Sequence, residues 1–258
     1  MPPDLYFEEN GSPDSHPLIF LHGLLGSSRN WRSVSKVLSS DFRTICFDLP
    51  NHGKSFHKEK FTVKEMADLI HQQILIMGIS EFSICGHSLG GKVAMRMACD
   101  HAREIERLVV VDIAPRDYPP EHHLPILDAL TELDLLTISS RKEADLALTE
   151  KIPNWAFRQF LLTNLDFSEG QAYWLPNLMA LRDSLCNLSS NPLKKDGFPN
   201  PVLFICGGKS GYVRSEHHPL IREYFPEAQI ETLPNVGHDV HVEDRQGFIS
   251  HLQKFLLV

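Results

Sequence analysis

The chain has 258 residues, 42% of them hydrophobic and 22% charged, with a formal net charge of −8. That length suits one large α/β domain with room for a small insertion. The acidic balance argues against a nucleic-acid or anionic-membrane partner, and no segment approaches the ~18 uncharged apolar residues of a membrane span.

The start, Met1-Pro-Pro-Asp-Leu-Tyr-Phe-Glu-Glu9, has no basic region followed by an apolar stretch, so no secretory signal is expected. Leu18-Ile-Phe-Leu21 is a continuous apolar run of strand length and suits a buried parallel strand. It ends in His22-Gly-Leu-Leu-Gly26. Helical spacing follows over Asn30 to Leu38, with Trp31, Val34, Val37 and Leu38 apolar. Thr44-Ile-Cys-Phe47 is the next strand, closed by the turn-rich loop Asp48-Leu-Pro-Asn-His-Gly-Lys-Ser55. Thr62 and Glu65 form a capping-box pattern, and Met66, Leu69, Ile70, Ile74 and Met77 give the helix its apolar face before Gly78.

Phe82 to Cys85 reads as a short buried strand, and Leu89 onward as a helix. Between them Gly86-His-Ser-Leu-Gly90 matches G-x-S-x-G, the nucleophile elbow. Such a turn is so sharp that its central residue is strained, and side chains at the flanking glycines would clash. Ser88 is therefore the candidate nucleophile, lifted above the sheet edge at the start of a helix, where negative charge is favoured. Leu108-Val-Val-Val111 is the following strand, ending at Asp112. Strand and helix alternate to this point, which specifies a parallel sheet with helices on both faces.

The pattern then changes. Arg116 to about Pro199 contains no convincing strand, only helical stretches around Leu124–Leu136, Arg141–Lys151, Asn154–Leu162 and Tyr173–Leu185. The expected organisation is an α/β core made of residues 1–115 and 200–258, with 116–199 inserted as a helical cap. Trp155, Phe157, Phe160, Tyr173 and Trp174 are candidates for an acyl pocket or for the core of that cap. The sheet resumes at Pro201–Cys206, followed by a helix around Pro219–Phe225 and a strand at Gln229–Leu233. Pro234-Asn-Val-Gly-His238 leads to a last helix over about Asp244 to Leu257.

A serine hydroxyl needs a base, and that base needs an orienting acid. Among 14 histidines, His238 follows the last strand and so falls at the sheet edge that carries Ser88. His22 and His87 belong to glycine turns and read as supporting hydrogen-bonders. For the acid, the residues after Cys206 offer no carboxylate before Glu216, whereas Asp112 ends the strand beside the elbow. Asp112 is favoured, with Glu216 the other candidate. The oxyanion hole calls for two backbone N–H groups, expected from Leu24 and Leu89. His238-Asp-Val-His241 lacks a third metal ligand, and no phosphate-binding glycine loop occurs, so neither a metal nor a cofactor is expected. The five cysteines form no C-x-x-C; Cys46, Cys85, Cys99 and Cys206 fall in apolar patterns and Cys186 in a less regular one. They read as reduced residues of a cytoplasmic protein.

With these motifs in hand, the chain resembles the α/β-hydrolase superfamily over nearly its whole length. It is similar to small YbfF-type esterases and their mitochondrial abhydrolase relatives. The residues are His22–Gly26, Asp48–Ser55, Gly86–Lys92, Val111–Pro115, Gly207-Gly-Lys-Ser-Gly-Tyr-Val213 and Gly237-His238. The resemblance implies hydrolysis of short- to medium-chain acyl esters under a helical cap. It supports Ser88, Asp112 and His238 as the triad, the acid standing one strand earlier than usual. Two departures are Asp239, where an aromatic residue is common, and Lys209, where Asn is common. The same machinery would serve a thioesterase or a carbon–carbon bond hydrolase. A reading of another class is a ligand-binding sensor that turns over slowly or not at all. The expected partner is a small-molecule acyl ester or thioester.

Overall fold

Leu18 and Phe20 pack on one face of the central sheet, Ile19 and Leu21 on the other, and all four are wholly buried. A strand flanked on both sides and covered on both faces requires such an unbroken apolar run. The protein is described by a computed structural model covering residues 5–194 and 197–257. Met1 to Asp4, where the leader reading begins, lie outside the described residues, as do Lys195, Asp196 and Val258 of the cap and last-helix segments.

The first half of the chain runs β1 (Phe7–Asn10), β2 (Pro17–Leu21), α1 (Arg32–Leu38), β3 (Arg43–Phe47), α2 (Val63–Ile76), β4 (Phe82–His87), α3 (Leu89–Asp100) and β5 (Ile105–Val111). Next come α4 (Leu124–Thr131), α5 (Arg141–Leu148), α6 (Trp155–Leu162), β6 (Leu165–Ser168), β7 (Gln171–Trp174), α7 (Leu178–Asp183) and α8 (Leu185–Ser189). The chain closes with β8 (Val202–Gly207), α9 (His218–Tyr224), β9 (Gln229–Leu233), α10 (Val240–Glu243) and α11 (Arg245–Leu256). The main sheet has the order β1-β3-β2-β4-β5-β8-β9. All its neighbours are parallel except β1, which pairs antiparallel with β3. This is the expected α/β class, with α1 and α11 against one face and α2 and α3 against the other.

Local chemistry accounts for the boundaries. Thr62 caps α2 by accepting from the Glu65 N–H, while Glu65 accepts from the Thr62 N–H at 2.8 Å. Gly78 then takes φ +75°, a left-handed stop. The helix expected from Asn30 begins as a 3₁₀ turn at Ser28–Trp31, and Val37 points to solvent.

Two features depart from the sequence reading. β1 forms from Phe-Glu-Glu-Asn, a segment with little apolar character. Its glutamates are held from outside: Glu8 bridges Arg32 at 2.6 Å and Glu9 bridges Arg43 at 2.7 Å. The stretch between β5 and β8 is also not purely helical. β6 and β7 form an antiparallel hairpin, so the stretch expected as a helix from Tyr173 begins as strand. Its two-residue turn, Glu169-Gly170, has φ +51° and +82°, the primed geometry that matches strand twist. Glu-Gly is a weaker turn signal than Asn-Gly, and each strand has only four residues. The stretch from Leu124 is helical only to Thr131.

Candidate active site

The elbow is built by exclusion of side chains. A Cβ on Gly86 would collide with the Gly90 carbonyl oxygen, and one on Gly90 with the Leu21 carbonyl oxygen. Ser88 between them takes φ 51°, ψ −115°, a conformation that L-residues rarely adopt. Its N–H donates to the Val111 carbonyl at 3.0 Å, tying the turn to β5. Gly86→Ala is therefore expected to cost several kcal/mol of stability. A large fall in the thermal midpoint would show it, whereas an unchanged midpoint would contradict the packing described.

Asp112, the residue after β5, is also strained, with φ 49°, and is fully buried. Three donors converge on its carboxylate. Gly207 N–H reaches Oδ1 at 2.9 Å, Ser210 Oγ reaches Oδ2, and His238 Nδ1 reaches Oδ2 at 2.7 Å. A carboxylate only accepts, so His238 Nδ1 carries a proton, and Nε2 is the ring nitrogen turned away from Asp112. His238 stacks against Tyr212, with ring centroids 3.9 Å apart and planes 16° apart. Tyr212 also lines a cleft with Ser88, Leu89 and Leu24. The cleft encloses about 370 Å³ of empty space, part of it open to solvent. Asp112 and His238 are thus hydrogen-bonded at the C-terminal edge of the sheet, where Ser88 follows the neighbouring strand β4. No hydrogen bond joins Ser88 Oγ to His238 among the described residues; unliganded sites often hold such pairs apart. Glu216 lies elsewhere, 69% exposed and 3.6 Å from His217.

Leu24 and Leu89 bring free backbone donors to the same cleft. Leu89 opens α3, so its N–H has no partner within the helix. The Leu24 N–H has none among the described residues. The loop that carries Leu24 is braced by His22. His22 Nε2 accepts from the Leu49 N–H at 3.0 Å, so Nδ1 carries the proton and donates to the Gly23 carbonyl at 2.7 Å. His87 Nε2 donates to the His238 carbonyl at 3.0 Å, linking the elbow to the histidine loop.

Several residues here were not singled out from sequence. Ser210 and the Gly207 N–H orient Asp112; the Gly-Gly-Lys-Ser run marks the resemblance and lacks a carboxylate, but neither reading gives it this role. Tyr118 OH donates to the Tyr212 carbonyl and accepts from Ala114 N–H, both at 2.9 Å, so it clamps β5 to the loop after β8. The cleft walls decide between the two expectations for the aromatic residues of this segment, and Phe157, Phe160 and Trp174 pack against the core. The walls come from Ile113, Tyr118, Leu185 and Leu188, not from Trp155, Phe157, Phe160, Tyr173 or Trp174. Trp155 and Tyr173 are exposed, and Trp174 faces a separate open cleft with His57 and Met179.

Buried imidazoles surround the site. Desolvation pushes His22 down to about 4 and both His52 and His241 down to about 3. Each is neutral when folded and free to take a proton at about 6.5 when unfolded. Below 6.5 the unfolded chain binds the extra protons, so stability falls as pH falls toward the folded values and is fully present above 6.5. The expected loss is up to about 1.4 kcal/mol per pH unit per histidine. His241 stacks on Trp31 at 4.3 Å, and its Nδ1 is buried without a partner. His241→Phe should flatten the acid limb in thermal melts between pH 7 and 4.5; an unchanged slope would contradict this account.

Comparison with known proteins follows the geometry. A family model described as alpha/beta hydrolase fold matches residues 16–136. The sequence is 36% identical over 246 residues to the sn-1-specific diacylglycerol lipase ABHD11 of Mus musculus, covering 93% of this chain and 80% of that one. It is 28% identical over 243 residues to esterase YbfF of Escherichia coli strain K12, covering 94% of each. A solved structure titled marine microorganism esterase superposes with a TM-score of 0.95 at 33% identity, over 98% of this chain and 99% of that one. On the strength of these matches and its seven-stranded sheet, the chain belongs to the α/β-hydrolase family and is a hydrolase of its esterase and lipase type.

Proposed function

We propose that the protein is a serine carboxylesterase acting on short- to medium-chain acyl esters through an acyl-enzyme. The observation that carries this reading is the pairing of His238 Nδ1 with buried Asp112 at 2.7 Å, at the sheet edge where strained Ser88 opens a cleft. The ester carbonyl enters beside Ser88. His238 Nε2 takes the Ser88 proton as Oγ bonds to the carbonyl carbon. The oxygen, now negative, accepts from the Leu24 and Leu89 N–H groups. The tetrahedral adduct collapses, its bond to the alcohol oxygen breaks, and the leaving alcohol takes the proton from His238. Water then gives a proton to His238 and its hydroxyl to the acyl carbon. Collapse returns the proton to Ser88 and frees the acid. Asp112 orients the imidazole throughout and stabilises the imidazolium.

Residues 116–199 act as the cap in this reading. Asn164 Nδ2 donates to the Leu25 carbonyl at 2.6 Å, and Asn177 N–H donates to the Asn51 carbonyl at 3.0 Å. Both contacts seat the segment on loops at the C-terminal ends of β2 and β3. Cys46, Cys85, Cys186 and Cys206 carry free thiols, that of Cys186 exposed, which suits a reducing compartment such as the cytoplasm. Among the described residues no helix is long and apolar enough to cross a membrane.

The test is hydrolysis of p-nitrophenyl esters of rising acyl length. Burst and steady turnover, best on short chains, are expected. A single slow acylation without turnover would instead favour a ligand sensor.

A further inference from the structure

The cleft beside Ser88 holds a charge that the chemistry above leaves unused. Lys92 follows Ser88 by four residues, so it lies on the same face of α3, one turn along. It is 2% exposed and lines the cleft together with Ser88 and Tyr118. Its Nζ donates to the carbonyl oxygens of Ser189 at 2.5 Å and Ser190 at 2.7 Å, and lies 5.0 Å from the centre of the Tyr118 ring. Those contacts satisfy its N–H groups without neutralising its charge. The lysine–carboxylate bridges among the described residues are those of Lys58, Lys64 and Lys151. Lys92 has no such partner.

The surroundings add positive character. Arg116 stands over the same Tyr118 ring, its Cζ 4.2 Å from the centre, and its Nε is buried without a partner. Asp117 is the acidic group that acts on Lys92, but it is exposed and accepts from the Asn191 N–H at 2.6 Å. His123, also on the cleft, is held neutral by burial and by the charges of His238, His122 and Lys92. Burial likewise pushes the Lys92 ammonium down to about 7. A buried ammonium with no carboxylate is costly, and a bound anion removes much of that cost. Asp112 and Asp239 act on Tyr212 at the far side of the cleft, and Lys92 is the charged side chain among the cleft's described lining.

We propose that the cleft takes esters bearing a carboxylate a few carbons from the reacting carbonyl, and that Lys92 is the group that binds it. Arg116 strengthens the local field from behind Tyr118. This names a substrate class within the esterase reading and rests on it. The carboxylate can sit on the acyl side, as in a half-ester of a short dicarboxylic acid, or on the alcohol side.

Binding to the Ser88→Ala protein separates recognition from turnover. Calorimetry would compare monoethyl succinate, 3-(butanoyloxy)propanoate and the neutral ethyl butanoate. At least one charged ester should bind ten-fold or more tighter than the neutral one, and which one does so identifies the side that enters. Adding Lys92→Met should bring the charged and neutral esters within about two-fold, through loss of the charged ester alone. Should that variant fail to fold, Arg116→Gln, a partly exposed site, should still cut the preference two- to five-fold. Equal binding of all three esters, or a preference that survives these changes, would overturn the proposal. Wild-type protein that binds the charged ester but hydrolyses none of the three would contradict the esterase reading and leave the anion site standing.

Discussion

Ser88→Ala is expected to lower kcat by about four orders of magnitude or more while leaving the protein folded. The two halves of that expectation have separate causes. In the proposed mechanism, removing the hydroxyl removes the atom that forms the acyl-enzyme. The fold should persist because the hydroxyl makes no hydrogen bond among the described residues, and alanine meets the same backbone strain at φ 51°. Ser88→Gly adds an internal control, because glycine adopts that conformation without steric cost. It should be as inactive as the alanine variant and more stable by about 1 kcal/mol or more. Retained turnover in either variant would remove Ser88 from the mechanism. A glycine variant less stable than the alanine one would argue against strain at the elbow.

The second large effect concerns the acid. Asp112→Asn should lower kcat by about 10³–10⁴-fold with little change in KM. An amide in that place can donate to His238 Nδ1, which favours the tautomer with its proton on Nε2 and takes away the base. Ser210→Ala should cost less, because Gly207 N–H and His238 still hold the carboxylate. Glu216→Gln should stay within two-fold, since that side chain is exposed and its ion pair is with its sequence neighbour His217. Steady-state kinetics on one good ester measures all three. A large loss in Glu216→Gln with none in Asp112→Asn would move the acid.

Much of the fold was legible because burial on both faces of a parallel strand leaves an uninterrupted apolar run, as at Leu18–Leu21 and Leu108–Val111. The glycines of the elbow were legible for a related reason: backbone approaches too close for a Cβ admit one residue type. Asp112 and His238 could be anticipated as neighbours because each ends or follows a strand whose C-terminal tip faces the elbow. β1 was not legible, because it is held by Glu8–Arg32 and Glu9–Arg43 bridges from elements distant in sequence. The β6–β7 hairpin was hidden by brevity, four residues a strand with apolar and polar positions mixed. Nor could composition show which residues wall the cleft. Aromatic residues at Trp155 and Tyr173 look like pocket formers, yet they face solvent, while Leu185 and Leu188 enter from the short helix α8. Lys92 illustrates the same limit. Within Gly-Gly-Lys nothing local marks it as buried, and its burial depends on the carbonyls of Ser189 and Ser190, almost a hundred residues away.

Covalent labelling with a fluorophosphonate, followed by mass mapping, bears most directly on the mechanism. The probe reacts with a serine whose proton an adjacent base can remove, so it reports nucleophile and base together. One adduct per chain is expected, on Ser88, absent from Ser88→Ala and formed far more slowly in His238→Asn. An adduct on any other residue, or labelling at full rate without His238, would contradict the account.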